Sequence, residues 1–87
     1  MYIILVYDVS VERVAKVCQF LRKYLNWMQN SVFEGELTES EMKRVEMKLK
    51  DIIDKNQDSI IIYRLPSNNM LERESIGIKK AEPTSVI

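Results

Sequence analysis

Two continuous runs of apolar, β-favouring residues constrain the fold of this chain more than any other feature. They occupy residues 2–7 and 59–65, and neither alternates with polar side chains. Runs of this kind are typical of strands buried on both faces. With 87 residues the chain has room for one domain. We expect that domain to span residues 1–78 and residues 79–87 to form a C-terminal tail.

Two stretches between these runs have apolar residues at spacings of three and four, which predicts amphipathic helices. The first begins after Ser10, a plausible N-cap. The second begins after Thr38 and ends near Asn56. Thr38 and Glu41 have the Ser/Thr-x-x-Glu spacing of a capping box. The apolar positions of the first helix are Val14, Val17, Cys18, Leu21 and Leu25, and those of the second are Met42, Val45, Leu49, Ile52 and Ile53.

Residues 26–37 are extended in character, and the pattern alone leaves open whether they form one strand or two. Gly35 within this stretch indicates a bulge. If the stretch folds as a hairpin, the order is that of a ferredoxin-like βαββαβ sandwich, an α+β fold with an antiparallel sheet and two helices on one face. A short additional strand is expected near residues 74–78, on the same sheet or on a second copy.

The side chains of Ile61 and Tyr63, with alternate residues of the first strand, are too apolar to face water. They would lie on the sheet face that the helices leave bare. This predicts a face-to-face homodimer.

Composition excludes several kinds of chemistry. There is no histidine and a single cysteine, Cys18, which rules out a disulfide framework, the usual zinc sites and Ser-His-Asp triads. Cys18 is interpreted as a small core residue. The N-terminal apolar run lacks a basic flank and is too short for a signal or membrane span, so we expect a cytoplasmic protein without membrane association.

Thirteen basic residues balance thirteen acidic ones, so net charge does not indicate a nucleic-acid partner. The distribution is more informative, since the first helix is basic and the second is rich in acids. Any phosphate contacts are therefore expected on the first helix. The candidates are Arg13, Lys16, Arg22 and Lys23.

Asp8 is the best candidate for a reactive group, because it follows the first apolar strand directly and precedes a helix. As a structural residue it would stabilise the turn between the strand and the helix. As a functional residue it could hold Mg²⁺, which needs only one or two carboxylates, and a symmetric dimer would supply two copies of Asp8. A metal held there could activate water against a phosphodiester. Ser31 and its neighbours either satisfy a hairpin turn or line this site.

The chain closely resembles the CRISPR-associated protein 2 family. The resemblance is carried by residues 7–8, 13–17, 27–38 and 58–63, and most specifically by Gln-x-Ser-Val-Phe-Glu-Gly at residues 29–35. It implies a ferredoxin-like homodimer whose C-terminal strand packs on the partner's sheet. It also implies a magnesium-dependent nuclease acting on single-stranded RNA or duplex DNA, with Asp8 as catalytic residue and metal ligand and with Tyr7, Ser31 and Phe33 lining the site.

The resemblance further implies a role in spacer acquisition, in which the homodimer bridges two dimers of the integrase, CRISPR-associated protein 1, and contacts duplex DNA. Two functions follow. The first is a scaffold that needs no chemistry of its own, which the single carboxylate and the near-zero net charge favour. The second is a phosphodiesterase that uses Asp8. A toxin-like ribonuclease of the same fold is the alternative.

Overall fold

The computed structural model describes residues 1–80, and its elements follow one another in the predicted order. They are β1 (Tyr2–Asp8), α1 (Val11–Leu21), β2 (Asn26–Gln29), β3 (Val32–Glu36), α2 (Glu39–Ile52) and β4 (Ser59–Leu65). The extended stretch is therefore a hairpin of two strands. One 3₁₀ turn, Asn68–Met70, follows β4.

The four strands form one antiparallel sheet in the order β2-β3-β1-β4. Both helices pack on one face, so the predicted ferredoxin-like α+β sandwich is confirmed. β1 lies inside the sheet, as its apolar run predicts. The prediction that the second run, β4, is buried on both faces is wrong for the single chain. β4 is an edge strand, and its residues alternate between exposed and half-buried.

Alternation along β1 separates the two faces of the sheet. Ile3, Leu5 and Tyr7 point toward the helices and join a core with Phe33 of β3. The helices contribute most of the apolar positions predicted from their spacing, but Leu25 and Ile53 lie just beyond the ends of α1 and α2. The helical positions that are fully or almost fully buried are Val17, Leu21, Met42, Val45 and Leu49.

The opposite face of the sheet carries no helix, and we call it the open face. Register places Ile4 of β1 beside Tyr63 of β4 and Glu34 of β3, and it places Val6 beside Ile61. Ile61 is 49% exposed and Tyr63 is 54% exposed. The predicted apolar open face is therefore present in the single chain.

The starts of both helices fit the sequence. Thr38 Oγ1 accepts from the Glu41 amide at 3.2 Å and Glu41 Oε1 accepts from the Thr38 amide at 2.9 Å, which is the predicted capping box. Ser10 is at the N-cap of α1, but its hydroxyl accepts from the Arg13 guanidinium at 2.7 Å rather than from a helix amide. The second helix ends at Ile52, four residues before the expected end, because Ile53 is already extended.

Gly35 does not form the predicted bulge. It pairs in regular register with Ile3, and the irregularity lies in β2 between Trp27 and Gln29. Gly35 is needed for a close approach instead, since a Cβ at this position would lie 3.1 Å from Leu25 Cδ2. The glycine thus lets the segment after α1 pack directly on β3.

The segment after β4 is not a strand in residues 71–80. The short strand predicted near residues 74–78 is therefore not formed within the single chain. Residues 73–80 instead border the β2–β3 side of the open face and leave a groove of about 330 Å³ against Met28, Val32 and Glu34. Of the predicted tail, residues 79–87, only the first two lie within the described residues. The boundary between residues 78 and 79 stays a prediction.

Candidate functional site

Asp8 is the last residue of β1, and its side chain is exposed on the open face. It is paired in register with Ser59, the first residue of β4. On the other side of β1, the Tyr7 amide donates to the Ser31 carbonyl at 3.0 Å. The strand end carrying Asp8 therefore lies between Ser59 and the β2–β3 turn, and the structure brings Asp8 and Ser31 into one neighbourhood.

The β2–β3 turn is fixed by hydrogen bonds to one carbonyl group. Asn30 has a φ of 43°, in the left-handed region that Asn adopts more readily than most residues. Its carbonyl accepts from Trp27 Nε1 at 3.0 Å and from the Tyr7 hydroxyl at 3.3 Å. These two side chains hold the turn, and with it Ser31, beside the end of β1.

Tyr7 and Phe33 do not line a site at Asp8. Both side chains point into the helix-facing core, on the opposite side of the sheet from Asp8. Their rings are 5.9 Å apart, and the Tyr7 hydroxyl also lies 3.2 Å from Cys18 Sγ. Burial, together with Cys18, raises the pKa of Tyr7 to about 12. Adjacent residues of a strand point to opposite faces, which is why Tyr7 and Asp8 separate.

The loop that follows Asp8 is held by a buried carboxylate, Asp58, that the sequence analysis did not select. Asp58 Oδ1 accepts from the Ser10 amide at 2.9 Å, and Oδ2 accepts from Arg13 Nε at 2.6 Å and from the Asp54 amide at 2.9 Å. The Arg13 guanidinium holds the pKa of Asp58 well below its usual range. We call this set of hydrogen bonds the Asp58 clamp. It joins the β1–α1 loop, which follows Asp8, to the α2–β4 loop, which precedes Ser59.

The four basic candidates on α1 are not equivalent. Arg13 is committed to Asp58, and its side chain is only 23% exposed. It is therefore a structural residue in this chain rather than a free phosphate contact. Lys16, Arg22 and Lys23 are exposed, with Arg22 at the C-cap of α1 and Lys23 just beyond it. These three are the basic side chains of this region that a phosphate could reach.

The strand end can offer a metal only a small set of oxygen ligands. Among residues 1–80 no cluster of three or more acidic or cysteine side chains is arranged to hold a metal ion. Asp8 is one exposed carboxylate with the hydroxyl-bearing Ser59 opposite it. Such a site fits Mg²⁺, which retains several waters, better than a cation that needs an all-protein cage. The strand end of one chain supplies one carboxylate, which is within the one or two that Mg²⁺ requires.

A second ionic group lies on the open face, at Glu34. This side chain is almost completely buried, and its Oε1 accepts from the Tyr2 hydroxyl at 2.8 Å. Arg73, from the segment after β4, donates from Nη1 to Glu34 Oε2 at 3.1 Å and from Nη2 to Glu34 Oε1. Burial and the hydrogen bond to Glu34 raise the pKa of Tyr2 to about 12.

Sequence signals existed for both missed carboxylates. Asp58 immediately precedes an apolar strand, and Glu34 directly follows the apolar pair Val32 and Phe33. An acid in either place needs a partner if it is buried, because an unpaired buried charge is costly. The partners could not be identified from the pattern, since they lie 45 and 39 residues away along the chain.

Fold and site together define a small ferredoxin-like domain with one carboxylate at the end of a central strand, on the sheet face that its helices leave open. The family model for CRISPR associated protein Cas2 matches residues 1–73. The chain belongs to the Cas2 family.

Individual relatives agree with this assignment. The chain is 61% identical over 80 residues to the CRISPR-associated endoribonuclease Cas2 of Pyrococcus furiosus, with 92% of each chain covered. It is 48% identical to the protein of the same description from Methanosarcina acetivorans over the full length of both. A crystal structure of a Cas2 protein superimposes with a TM-score of 0.86 at 45% identity, covering 100% of this chain and 98% of the other. No helix within residues 1–80 is long and apolar enough to cross a membrane.

Proposed function

We propose that this protein acts in CRISPR spacer acquisition as a homodimeric scaffold that bridges two integrase dimers and contacts duplex DNA. The observation that carries the proposal is the apolar open face of the sheet in a chain of the Cas2 family. This role requires the protein to share a compartment with DNA and the integrase, and we propose that this compartment is the cytoplasm.

The open face supports self-association because two copies of it are complementary by symmetry. It presents Ile61 and Tyr63, each about half exposed, beside Ile4 and Val6. A twofold axis would bring the same apolar patch of each copy together. β4 also has an unpaired edge within the described chain, to which an extended segment of the partner could add.

The segment after β4 supports the same arrangement. Ile76 is 94% exposed and Ile78 is 80% exposed, so its apolar side chains are not used within the single chain. Two residues apart in an extended segment, they would point to the same side. We propose that residues 74–78 form the expected short strand only on the partner's sheet. Deletion of residues 76–87 should then abolish or strongly weaken association, and an equally stable dimer of the truncated chain would contradict the arrangement.

A metal-dependent nuclease activity is the second candidate function, favoured by the exposed carboxylate of Asp8 at the end of β1. In a dimer formed through the open face, both copies of Asp8 lie on the interface side of their sheets. Mg²⁺ bound there would supply an activated water and positive charge against a phosphodiester of RNA or DNA. The chain itself supplies the carboxylate ligand, with Ser59 and Ser31 flanking it and the Asp58 clamp fixing its loop.

Asp8→Asn separates the scaffold from the nuclease. The exposed carboxylate makes no hydrogen bond that the fold needs, so we expect the variant to fold, dimerise and bind the integrase as the wild type does. Purified wild type and variant are assayed for Mg²⁺-dependent cleavage of single-stranded RNA and duplex DNA, and for spacer integration with the integrase. Asp51→Asn, the same change at an exposed aspartate of α2 on the other side of the sheet, is the matched control.

The two functions predict different outcomes. A nuclease that uses Asp8 loses cleavage in Asp8→Asn and keeps it in Asp51→Asn. Cleavage that survives in Asp8→Asn would eliminate the proposed nuclease. A scaffold keeps spacer integration in Asp8→Asn, and loss of integration by a normally assembled variant would argue against a purely structural role.

A further inference from the structure

The open face carries a nearly buried carboxylate, Glu34, whose charge must be balanced if a second copy covers it. Glu34 is 5% exposed, whereas the apolar residues Ile61 and Tyr63 of the same face are about half exposed. Glu34 is paired in register with Ile4, which in turn is paired with Tyr63. A second copy that covers Tyr63 and Ile4 therefore also covers Glu34.

The counter-charge for Glu34 comes from outside the sheet. Arg73 contacts both carboxylate oxygens, a bidentate arrangement that suits a guanidinium. The Tyr2 hydroxyl adds one hydrogen bond but no charge. Arg73 lies in the segment that follows β4, so the charge of Glu34 is balanced only while this segment lies across the open face.

We propose that Arg73 permits a second copy of the chain to bind the open face by neutralising Glu34. The inference rests on the proposed homodimer, whose association would depend on the ion pair between Arg73 and Glu34. Without Arg73, association would have to bury an uncompensated carboxylate from each copy, and such burial is strongly unfavourable. In the single chain the cost is small, because Glu34 can be hydrated once the segment moves away.

Loss of Arg73 should therefore weaken association without unfolding the single chain, and a set of variants can test this. Arg73→Ala removes the charge, and Glu34→Gln added to it removes the need for that charge while keeping the size of the side chain. Arg73→Lys keeps a positive charge. Lys80→Ala is the matched control, since Lys80 lines the same groove but is not a hydrogen-bond partner of Glu34. Dimer dissociation constants are measured by sedimentation, and folding is checked by circular dichroism and thermal unfolding.

We expect Arg73→Ala to raise the dimer dissociation constant at least ~tenfold while the monomer stays folded. The double variant Arg73→Ala/Glu34→Gln, as well as Arg73→Lys and Lys80→Ala, should remain within about threefold of the wild type. If Arg73→Ala does not fold, Arg73→Lys and the double variant still test the charge requirement.

Three results would overturn the inference. Wild-type association in folded Arg73→Ala would show that the charge of Glu34 does not matter at the interface. A double variant as weak as Arg73→Ala would show that Arg73 acts by placing the C-terminal segment and not by neutralising Glu34. A monomeric wild type would refute the proposed homodimer itself and this inference with it, which distinguishes the two failures.

Discussion

Association through the open face can be tested by removing its two most prominent apolar side chains, Ile61 and Tyr63. The exposed fractions of these residues are 49% and 54% in the single chain. Complete burial of a side chain of this size is worth about 1.5–3 kcal/mol. Since roughly half of each is already covered, about 1 kcal/mol per residue remains to be gained when a second copy covers it.

A twofold dimer contains each residue twice, so the association free energy lost by each substitution is doubled. The double substitution Ile61→Ser/Tyr63→Ser should therefore weaken dimerisation by about 4 kcal/mol. This corresponds to an increase of roughly a thousandfold in the dissociation constant. The assay is sedimentation equilibrium or light scattering over a dilution series, with circular dichroism to verify the fold.

Met47 provides the matched control, because it is 71% exposed but lies on α2, in the layer opposite the open face. Met47→Ser removes exposed apolar surface of similar size, and we expect the dissociation constant to stay unchanged. The reasoning would be refuted by a folded double variant that dimerises like the wild type. Equal weakening by Met47→Ser would refute it too, because association would then not depend on the open face.

Two further predictions concern stability. The Arg13 guanidinium holds the pKa of Asp58 below its ordinary value of 3.8, so the stabilisation is complete above that value and is lost as the pH falls below it. Thermal melts should show that Asp58→Asn is less stable than the wild type near neutral pH. On acidification the variant should lose less further stability than the wild type does. Parallel curves of Tm against pH for the two proteins would contradict this. Thr38→Ala, which removes the capping box of α2, should cost about 1 kcal/mol and lower Tm by about 4–8 °C, whereas Thr38→Ser should retain most of the cap. An unchanged Tm in Thr38→Ala would show that the cap does not contribute.

The sequence could predict the features that depend on local periodicity. Spacings of three and four residues placed both helices, the apolar runs placed β1 and β4, and the Thr38–Glu41 spacing located the start of α2. The apolar character of Ile61 and Tyr63, two residues apart on one strand, also predicted an apolar sheet face that the helices leave bare. These patterns are readable because side chains close in sequence share a face or a turn whatever the rest of the chain does.

The site could be predicted only in part. Asp8 could be selected because a carboxylate directly after an apolar strand is visible in the sequence. Tyr7 and Phe33 were assigned to the same site through family resemblance, but the pleat of the sheet directs both into the core. Ser31 reaches the end of β1 through the β2–β3 turn, which is held by long-range hydrogen bonds that no local pattern encodes.

By itself the sequence determined the order of the elements, their apolar faces and the presence of one carboxylate at the end of β1. Only the tertiary structure decided which charges are buried and what balances them. Arg13 reaches Asp58, and Arg73 reaches Glu34, across separations of 45 and 39 residues. The physical reason is that a buried charge requires a counter-charge close in space, and chain folding alone decides which distant residue supplies it.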